Sequence, residues 1–186
     1  MVPLHALWLP IVVSAVIVFI LSSLLHMVLP IHRNDFKVLP SEDKVMDALR
    51  AFNIPPGDYM MPCTQNPKEM RSPEFKAKFA KGPVAIMTIM KGGTMNILPN
   101  LAKWFGYLLV VGVFAAYVSG RALGHDASYL QVFRFVGVTA FLGYVAAMWQ
   151  DWIWYQRSLA TTLRYTFDGL LFALMTAGTF GWLWPR

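Results

Sequence analysis

The chain has 186 residues, of which 56% are hydrophobic and only 14% are charged, and its formal net charge is +6. A soluble domain usually carries about a quarter charged residues, so this composition argues against a purely water-soluble protein. No nucleic-acid recognition module accompanies the basic residues, which excludes nucleic acid as an expected partner. A single cysteine, Cys63, excludes an intrachain disulfide.

The first predicted element is a transmembrane helix within residues 1–30. Residues 6–29 contain no Asp, Glu, Lys or Arg, and as a helix they would extend about 36 Å, enough to cross the hydrocarbon. No Lys or Arg precedes this window and no small-residue cleavage site follows it. We therefore expect a retained first helix and not a signal peptide.

Residues 31–100 form the only long polar segment, and their sequence predicts short secondary-structure elements. Capping residues and helical spacing predict helices at about 42–52 and 73–81. The β-prone run 83–98 contains Lys91-Gly92-Gly93 near its middle and predicts a hairpin or an extended stretch.

The stretch "PPGDYMMPC" (55–63) contains two prolines and a glycine, which predict a stiff, turned backbone. Such a loop would display its aromatic and methionine side chains, which suits either protein docking or packing on the protein's own membrane face. The partner-docking candidates are Pro55, Pro56, Gly57, Asp58, Tyr59, Met60 and Met61.

Three further uncharged windows follow, at 104–120, 135–150 and 169–184. Flanking interfacial residues extend them to transmembrane helices at about 101–122, 129–156 and 161–184. The predicted fold is thus an all-α membrane protein with four transmembrane helices and a polar insertion between the first and second.

The basic residues predict the orientation. Segment 30–103 carries 11 of the 16 Lys and Arg residues, and such residues favour the cytoplasmic side. We expect both termini on the periplasmic side and residues 31–100 in the cytoplasm.

The turn between the last two predicted helices carries both signs of charge. Arg164 and Asp168 are four residues apart and would share a helix face. Antiparallel pairing would bring Asp151 to the same level, so Asp151, Arg157, Arg164 and Asp168 predict one ion cluster. It could be a proton or ion relay, a site for lipid headgroups, or a clamp that fastens the helical turn.

A soft metal site is a further alternative. His26 lies late in the first span and His32 just after it. Thiolate and thioether ligands favour Cu(I). With Met60, Met61 and Cys63 they form a candidate copper set, although no established ligand spacing is present. The alternative without a metal is a histidine that is hydrogen-bonded at the membrane interface, beside a proline-rich loop packed by methionines. No cofactor is otherwise predicted, and a bound phospholipid is expected.

Several stretches together resemble a family of small bacterial integral membrane proteins of about this length. They are "FNIPPGDYMMPC", "SPEF", "KGPVA", "YVSGRALG", "VFRFVGVTAFLGY", "WQDWIWY" and "TFDGLLFALMTAGTFGWLWP". The similarity covers nearly the whole chain. It implies the bacterial inner membrane, and it carries no catalytic residue and no activity.

No catalytic motif is present, so the first hypothesis is a non-enzymatic accessory, assembly or stabilising subunit of a larger membrane complex. Its partners would be other membrane subunits, a second copy of the chain, and lipids. One alternative is a small transporter or ion-handling protein that uses Asp151, Arg164 and Asp168. The other is a membrane copper-binding protein.

Overall fold

A computed structural model of the chain describes residues 1–185, which are mostly helical and divide into two compact units. One unit joins residues 1–36 to the chain from Asn96 onward, and the other is residues 37–95. In chain order, the elements are α1 (Trp8–Ser23), α2 (Glu42–Ala51), β1 (Gly57–Met61), α3 (Pro73–Lys81), β2 (Ala85–Ile89), α4 (Leu98–Ala122), α5 (Tyr129–Val145), α6 (Met148–Tyr155) and α7 (Leu159–Trp182).

Within residues 1–185, three helical segments are long and apolar enough to cross a membrane. They are Leu4–Val28, which contains α1, then α4, and Tyr129–Tyr155, which contains α5 and α6. Helix α7 has 24 residues but is not among these candidates. Its first half carries Arg164, Asp168 and several threonines, which lower its hydropathy. Three of the four expected spans are therefore present as candidates, and α7 corresponds to the fourth.

The first unit is a helical bundle in which α7 packs against α5 and α1, and α4 packs against α1 and α5. One buried core includes Leu7, Val132 and Phe180, and a second includes Val18 and Phe172. These buried side chains hold the bundle together by close van der Waals packing, because helices that lie in lipid gain little from the hydrophobic effect when they associate.

Close helix contacts depend on glycine at particular positions. A Cβ at Gly120 would lie 2.6 Å from the carbonyl oxygen of Val2, and a Cβ at Gly169 would collide with the Val145 side chain. Glycine lets the chain approach at these points because it has no Cβ. Gly169 thus brings the first half of α7, which carries Asp168, close to the end of α5.

Residues 37–95 contain α2, α3 and a small antiparallel sheet. Strand β2 pairs with β1, with Gly57 opposite Ile89 and Met61 opposite Ala85. Of the two arrangements expected within 83–98, the extended stretch is found, as β2, and the hairpin is not. The reason is that 57–61, interpreted as a displayed loop, is itself an extended strand whose backbone groups bond to β2. Met60 and Met61 are 47% and 39% exposed on that strand.

A candidate metal site at one end of the helical bundle

Three side chains from separate segments converge at the end of the bundle where α1 finishes. His26 lies in the turn after α1, His32 ends a short 3-10 turn at Pro30–His32, and Asp168 lies on α7. One potential ligand atom from each lies within 4.8 Å of the other two. Histidine nitrogens and a carboxylate oxygen are common ligands of divalent transition metals.

His26 is positioned by a π-helical turn over Leu24–Val28. The Leu29 N–H donates to the carbonyl of Leu24, 3.1 Å away and five residues earlier. Such wide turns occur often at functional sites. His26 Nδ1 lies 3.1 Å from the carbonyl oxygen of Ser22. A carbonyl can only accept, so Nδ1 carries the proton, and in the neutral ring Nε2 keeps its lone pair.

His32 is held by an acid on the same loop. Its Nδ1 lies 2.7 Å from Asp35 Oδ2, and Arg164 Nε donates to Asp35 Oδ1 over 2.8 Å. Burial alone would raise the pKa of Asp35, but the hydrogen bonds from His32 and Arg164 and the charge of Arg164 hold that pKa below its ordinary value. The ionised Asp35 accepts, so Nδ1 of His32 is the protonated nitrogen and Nε2 faces Asp168.

Asp168 is the most deeply buried acid of the site, with its side chain 1% exposed. Its Oδ2 lies 2.9 Å from His32 Nε2 and 3.8 Å from His26 Nε2. The short contact lacks hydrogen-bond geometry, so His32 Nε2 and both Asp168 oxygens have no hydrogen-bond partner within residues 1–185. Two ligands about 2.0 Å from one metal lie about 2.8 to 3.3 Å apart, which matches the spacing of His32 and Asp168.

The charges around the cluster leave Asp168 uncompensated when both imidazoles are neutral. Arg164 and Asp35 neutralise one another, since Arg164 NH2 lies 2.7 Å from Asp35 Oδ1. The His26 and His32 rings stack face to face with centroids 4.1 Å apart, so protonating both would place two like charges in contact. A buried carboxylate without a countercharge is costly. A bound cation would remove this cost.

A cavity of about 470 Å³ adjoins the cluster. His26, Tyr165 and Asp168 line one part of it. The rest of the wall is mainly apolar and aromatic, and its members include Met27, Ile97, Leu101, Trp104, Met148 and Phe172. This volume falls within the range of about 300–1,000 Å³ that is typical of small-molecule sites.

The predicted ion cluster is arranged differently in the structure. Arg157 lies 3.6 Å from Asp151, and both side chains are more than 40% exposed. Arg164 instead pairs with Asp35, and Asp168 faces the two histidines. The four residues therefore do not form one cluster, because the α1 end and the loop after it lie against α7 and supply the partners.

Asp35 is the site residue that the sequence interpretation missed. The available signal was its spacing of three residues from His32, beside an uncharged span. An acid so close to a membrane boundary needs a partner, and the sequence alone does not identify Arg164, 129 residues away.

The proposed copper set is divided between the two units. His26 and His32 lie together, and their third neighbour is an oxygen ligand, Asp168. Met60 and Met61 are on β1 in the unit of residues 37–95. The exposed Cys63 follows β1 in the same unit. The group described here is thus built from nitrogen and oxygen atoms, without the sulfur ligands expected of a Cu(I) site.

Residues 1–185 define a helical protein with three candidate membrane spans and a His–His–Asp cluster in which Asp168 is buried. No protein-family model, no curated protein and no solved structure matches the chain.

Proposed function

We propose that this chain is an integral membrane protein that binds a divalent transition-metal ion through His26 Nε2, His32 Nε2 and the Asp168 carboxylate. The observation that carries the proposal is the convergence of these atoms at a site where Asp168 is 1% exposed and where its two oxygens and His32 Nε2 have no hydrogen-bond partner within residues 1–185. Buried polar groups are almost always hydrogen-bonded, so the unpaired Asp168 oxygens and His32 Nε2 favour a ligand at this place.

The surrounding contacts support this proposal. Metal-ligating histidines usually donate their other ring N–H to a carbonyl or a carboxylate. His26 does so to the Ser22 carbonyl, and His32 to Asp35. Two imidazoles and one carboxylate suit Zn²⁺ or Fe²⁺ with open coordination positions. Such an ion would act as a Lewis acid on a bound oxygen. The residues around it would hold the ligands and exclude water.

We propose that α7 is the fourth membrane span. Large apolar side chains on α7 are exposed at helical spacing, and they form a stripe opposite its buried face: Leu163, Phe167, Leu170, Leu174 and Trp182. The stripe covers about 28 Å along the helix axis, close to the thickness of the hydrocarbon. Arg164 and Asp168 do not oppose this interpretation, since Arg164 pairs with Asp35 and Asp168 faces the histidines.

We propose that the membrane is the bacterial inner membrane, as the resemblance noted in the sequence implies. We also propose that residues 31–100 are cytoplasmic, as the basic residues of 30–103 predict. With that orientation, the metal site lies near the cytoplasmic boundary, since the end of α1 leads directly into this segment.

Metal binding by the purified protein tests the proposed function. We expect one Zn²⁺ or Fe²⁺ per chain by elemental analysis and by titration of chelator-treated protein. His26→Ala combined with His32→Ala should abolish this binding. The matched control is His125→Ala, because His125 lies in the turn between α4 and α5 and outside the cluster.

Binding of less than 0.1 ion per chain by the wild type, or equal binding by the double variant, would overturn the proposal. A wild type that binds Cu(I) more tightly than Zn²⁺ or Fe²⁺ would instead support the predicted copper ligands Met60, Met61 and Cys63.

The role of an accessory or assembly subunit stays a prediction. Large apolar side chains in the unit of residues 37–95 support it, because Phe52, Met90 and Met95 are at least 75% exposed. Crosslinking in native membranes followed by purification in detergent tests it, and a chain that is monomeric throughout counts against it.

A further inference from the structure

The cavity beside the metal cluster has an uneven distribution of polar groups. Around most of its wall, the polar side-chain atoms are already used inside the protein. Trp104 Nε1 donates to Ser22 Oγ over 2.9 Å, and Ser23 Oγ donates to the Phe19 carbonyl over 2.9 Å. The hydroxyl of Tyr107 donates to the carbonyl of Gly143. A ligand would therefore meet an apolar wall along this part of the cavity.

The opposite is true at the end formed by His26 and Asp168. Both Asp168 oxygens lack a hydrogen-bond partner within residues 1–185, and His26 Nε2 lies 3.8 Å from Asp168. The cavity thus offers polar recognition at one end and apolar contact elsewhere. This division matches a molecule with one polar head and one apolar chain.

The charge of the loaded site indicates the sign of the head. Asp35 and Arg164 cancel, Asp168 contributes one negative charge, and a divalent ion contributes two positive charges. The sum is one positive charge in a partly buried site, which favours a monoanionic head. A carboxylate satisfies this requirement and is itself a ligand for Zn²⁺ and Fe²⁺.

We propose that the cavity binds a single-chain fatty acid, with its carboxylate on the open positions of the metal and its alkyl chain along Trp104, Leu101 and Phe172. This inference rests on the proposed metal site. It adds the class of ligand, and it assigns the apolar wall a role that metal binding alone does not require.

Quenching of Trp104 by a brominated fatty acid tests this inference. Zn²⁺-loaded protein in lipid nanodiscs would be titrated with dibromopalmitate, and the contribution of Trp104 would be obtained by comparison with Trp104→Phe. We expect saturable quenching that is absent in Trp104→Phe. The methyl ester of the same acid, which lacks the anionic head, should bind at least ~10-fold more weakly because about 1.4 kcal/mol of binding energy is one decade in affinity.

Variants that fill the cavity should weaken binding of the alkyl chain and leave the metal, which holds the carboxylate, unaffected. Ser23→Phe introduces a ring into the wall, and we expect at least ~10-fold weaker dibromopalmitate binding with Zn²⁺ binding unchanged. Ala147→Phe is a second filling variant at another part of the wall. The matched control is Val138→Phe, which adds the same ring on α5 where Val138 is 63% exposed and does not line the cavity. Retained Zn²⁺ binding shows that each variant is folded.

The outcomes distinguish the two proposals. If Zn²⁺ binds but quenching is not saturable, or if both filling variants bind like Val138→Phe, the fatty-acid site is overturned and the metal site stands. If acid and ester bind equally, the carboxylate is not on the metal and this proposal fails. If Zn²⁺ does not bind the wild type, the proposed function fails and the head has no anchor, even if quenching is saturable.

Discussion

At the end of the bundle where α1 begins, side chains fill the available space, whereas at the end where α1 finishes they surround a cavity and a charged cluster. At the first end, Leu7 and Phe180 are fully buried, and the Val2 N–H donates to the Gly120 carbonyl over 2.8 Å. Trp184 Nε1 donates to the carbonyl of Gly124 over 3.0 Å. At this end, the buried side chains pack closely and the polar groups named here are hydrogen-bonded.

At the second end, the same helices leave polar atoms without hydrogen bonds. Asp168 is as deeply buried as the apolar residues of the first end, but its oxygens have no hydrogen-bond partner within residues 1–185. Local rules of stability are commonly broken at functional sites. The first end is thus closely packed and fully hydrogen-bonded at these contacts, whereas the second end leaves the cavity and the unpaired polar atoms on which the proposed metal site rests.

The largest effect is expected from Asp168→Asn. It removes the anionic ligand, so Zn²⁺ affinity should fall at least ~100-fold. The same change should stabilise the metal-free protein by about 1–3 kcal/mol, because burying an unpaired carboxylate charge costs more than burying the neutral amide of the same shape. Zn²⁺ titration and thermal unfolding with a chelator measure the two effects. A less stable metal-free variant would mean that Asp168 is held by a protonated His32 as an ion pair.

Asp35→Asn should weaken Zn²⁺ binding by about 10- to 100-fold while leaving all three ligands in place. The amide cannot accept from both His32 and Arg164 as the carboxylate does, so the His32 ring loses its orientation. Zn²⁺ titration measures the loss. A Zn²⁺ affinity equal to that of the wild type would show that Asp35 pairs with Arg164 but does not support the metal site.

Gly120→Val tests the packed end. Its Cβ would lie 2.6 Å from a backbone oxygen of Val2, and overpacking of this kind typically costs about 1–3 kcal/mol. Thermal unfolding in detergent should therefore shift downward, with Zn²⁺ affinity unchanged. Gly106→Ala is the control, because a Cβ at Gly106 meets nothing within 4 Å among the described residues. A parallel loss of Zn²⁺ affinity would show that the ends are coupled.

The lowered pKa of Asp35 predicts a pH window. The folded-state pKa lies below the ordinary aspartate value of 3.8, so the stabilisation by this carboxylate is complete above about pH 4 and is lost as the pH falls through the folded value. The difference in melting temperature between wild type and Asp35→Asn should be constant from pH 7 to about pH 4.5 and should narrow only below about pH 4. Narrowing near pH 6 would contradict the assignment.

The smallest effect is expected from Asp151→Asn. Asp151 and Arg157 are 42% and 49% exposed, and exposed pairs contribute about 0–1 kcal/mol. Thermal stability and Zn²⁺ affinity should both stay close to those of the wild type. A large loss of ion binding would revive the predicted relay of Asp151, Arg164 and Asp168.

The helices were the most predictable part of this protein. Four uncharged windows mark α1, α4, α5 and α7, because a long apolar run without charges predicts a membrane helix directly from the sequence. The short helices lie at Glu42–Ala51 and Pro73–Lys81, where the sequence indicated about 42–52 and 73–81. Strand pairing was less predictable: β2 bonds to β1 across an intervening helix, since pairing depends on which backbone edge is available and not on the sequence within one strand.

The sequence by itself determined the helices, because hydropathy and capping are local properties that a chain carries with it. It also supplied the histidines and acids near the membrane boundary. Only the tertiary structure decided that Asp168 faces His26 and His32 and that Arg164 pairs with Asp35. Those partners are far apart along the chain, and they meet because α7 packs against α1, which is a property of the whole bundle.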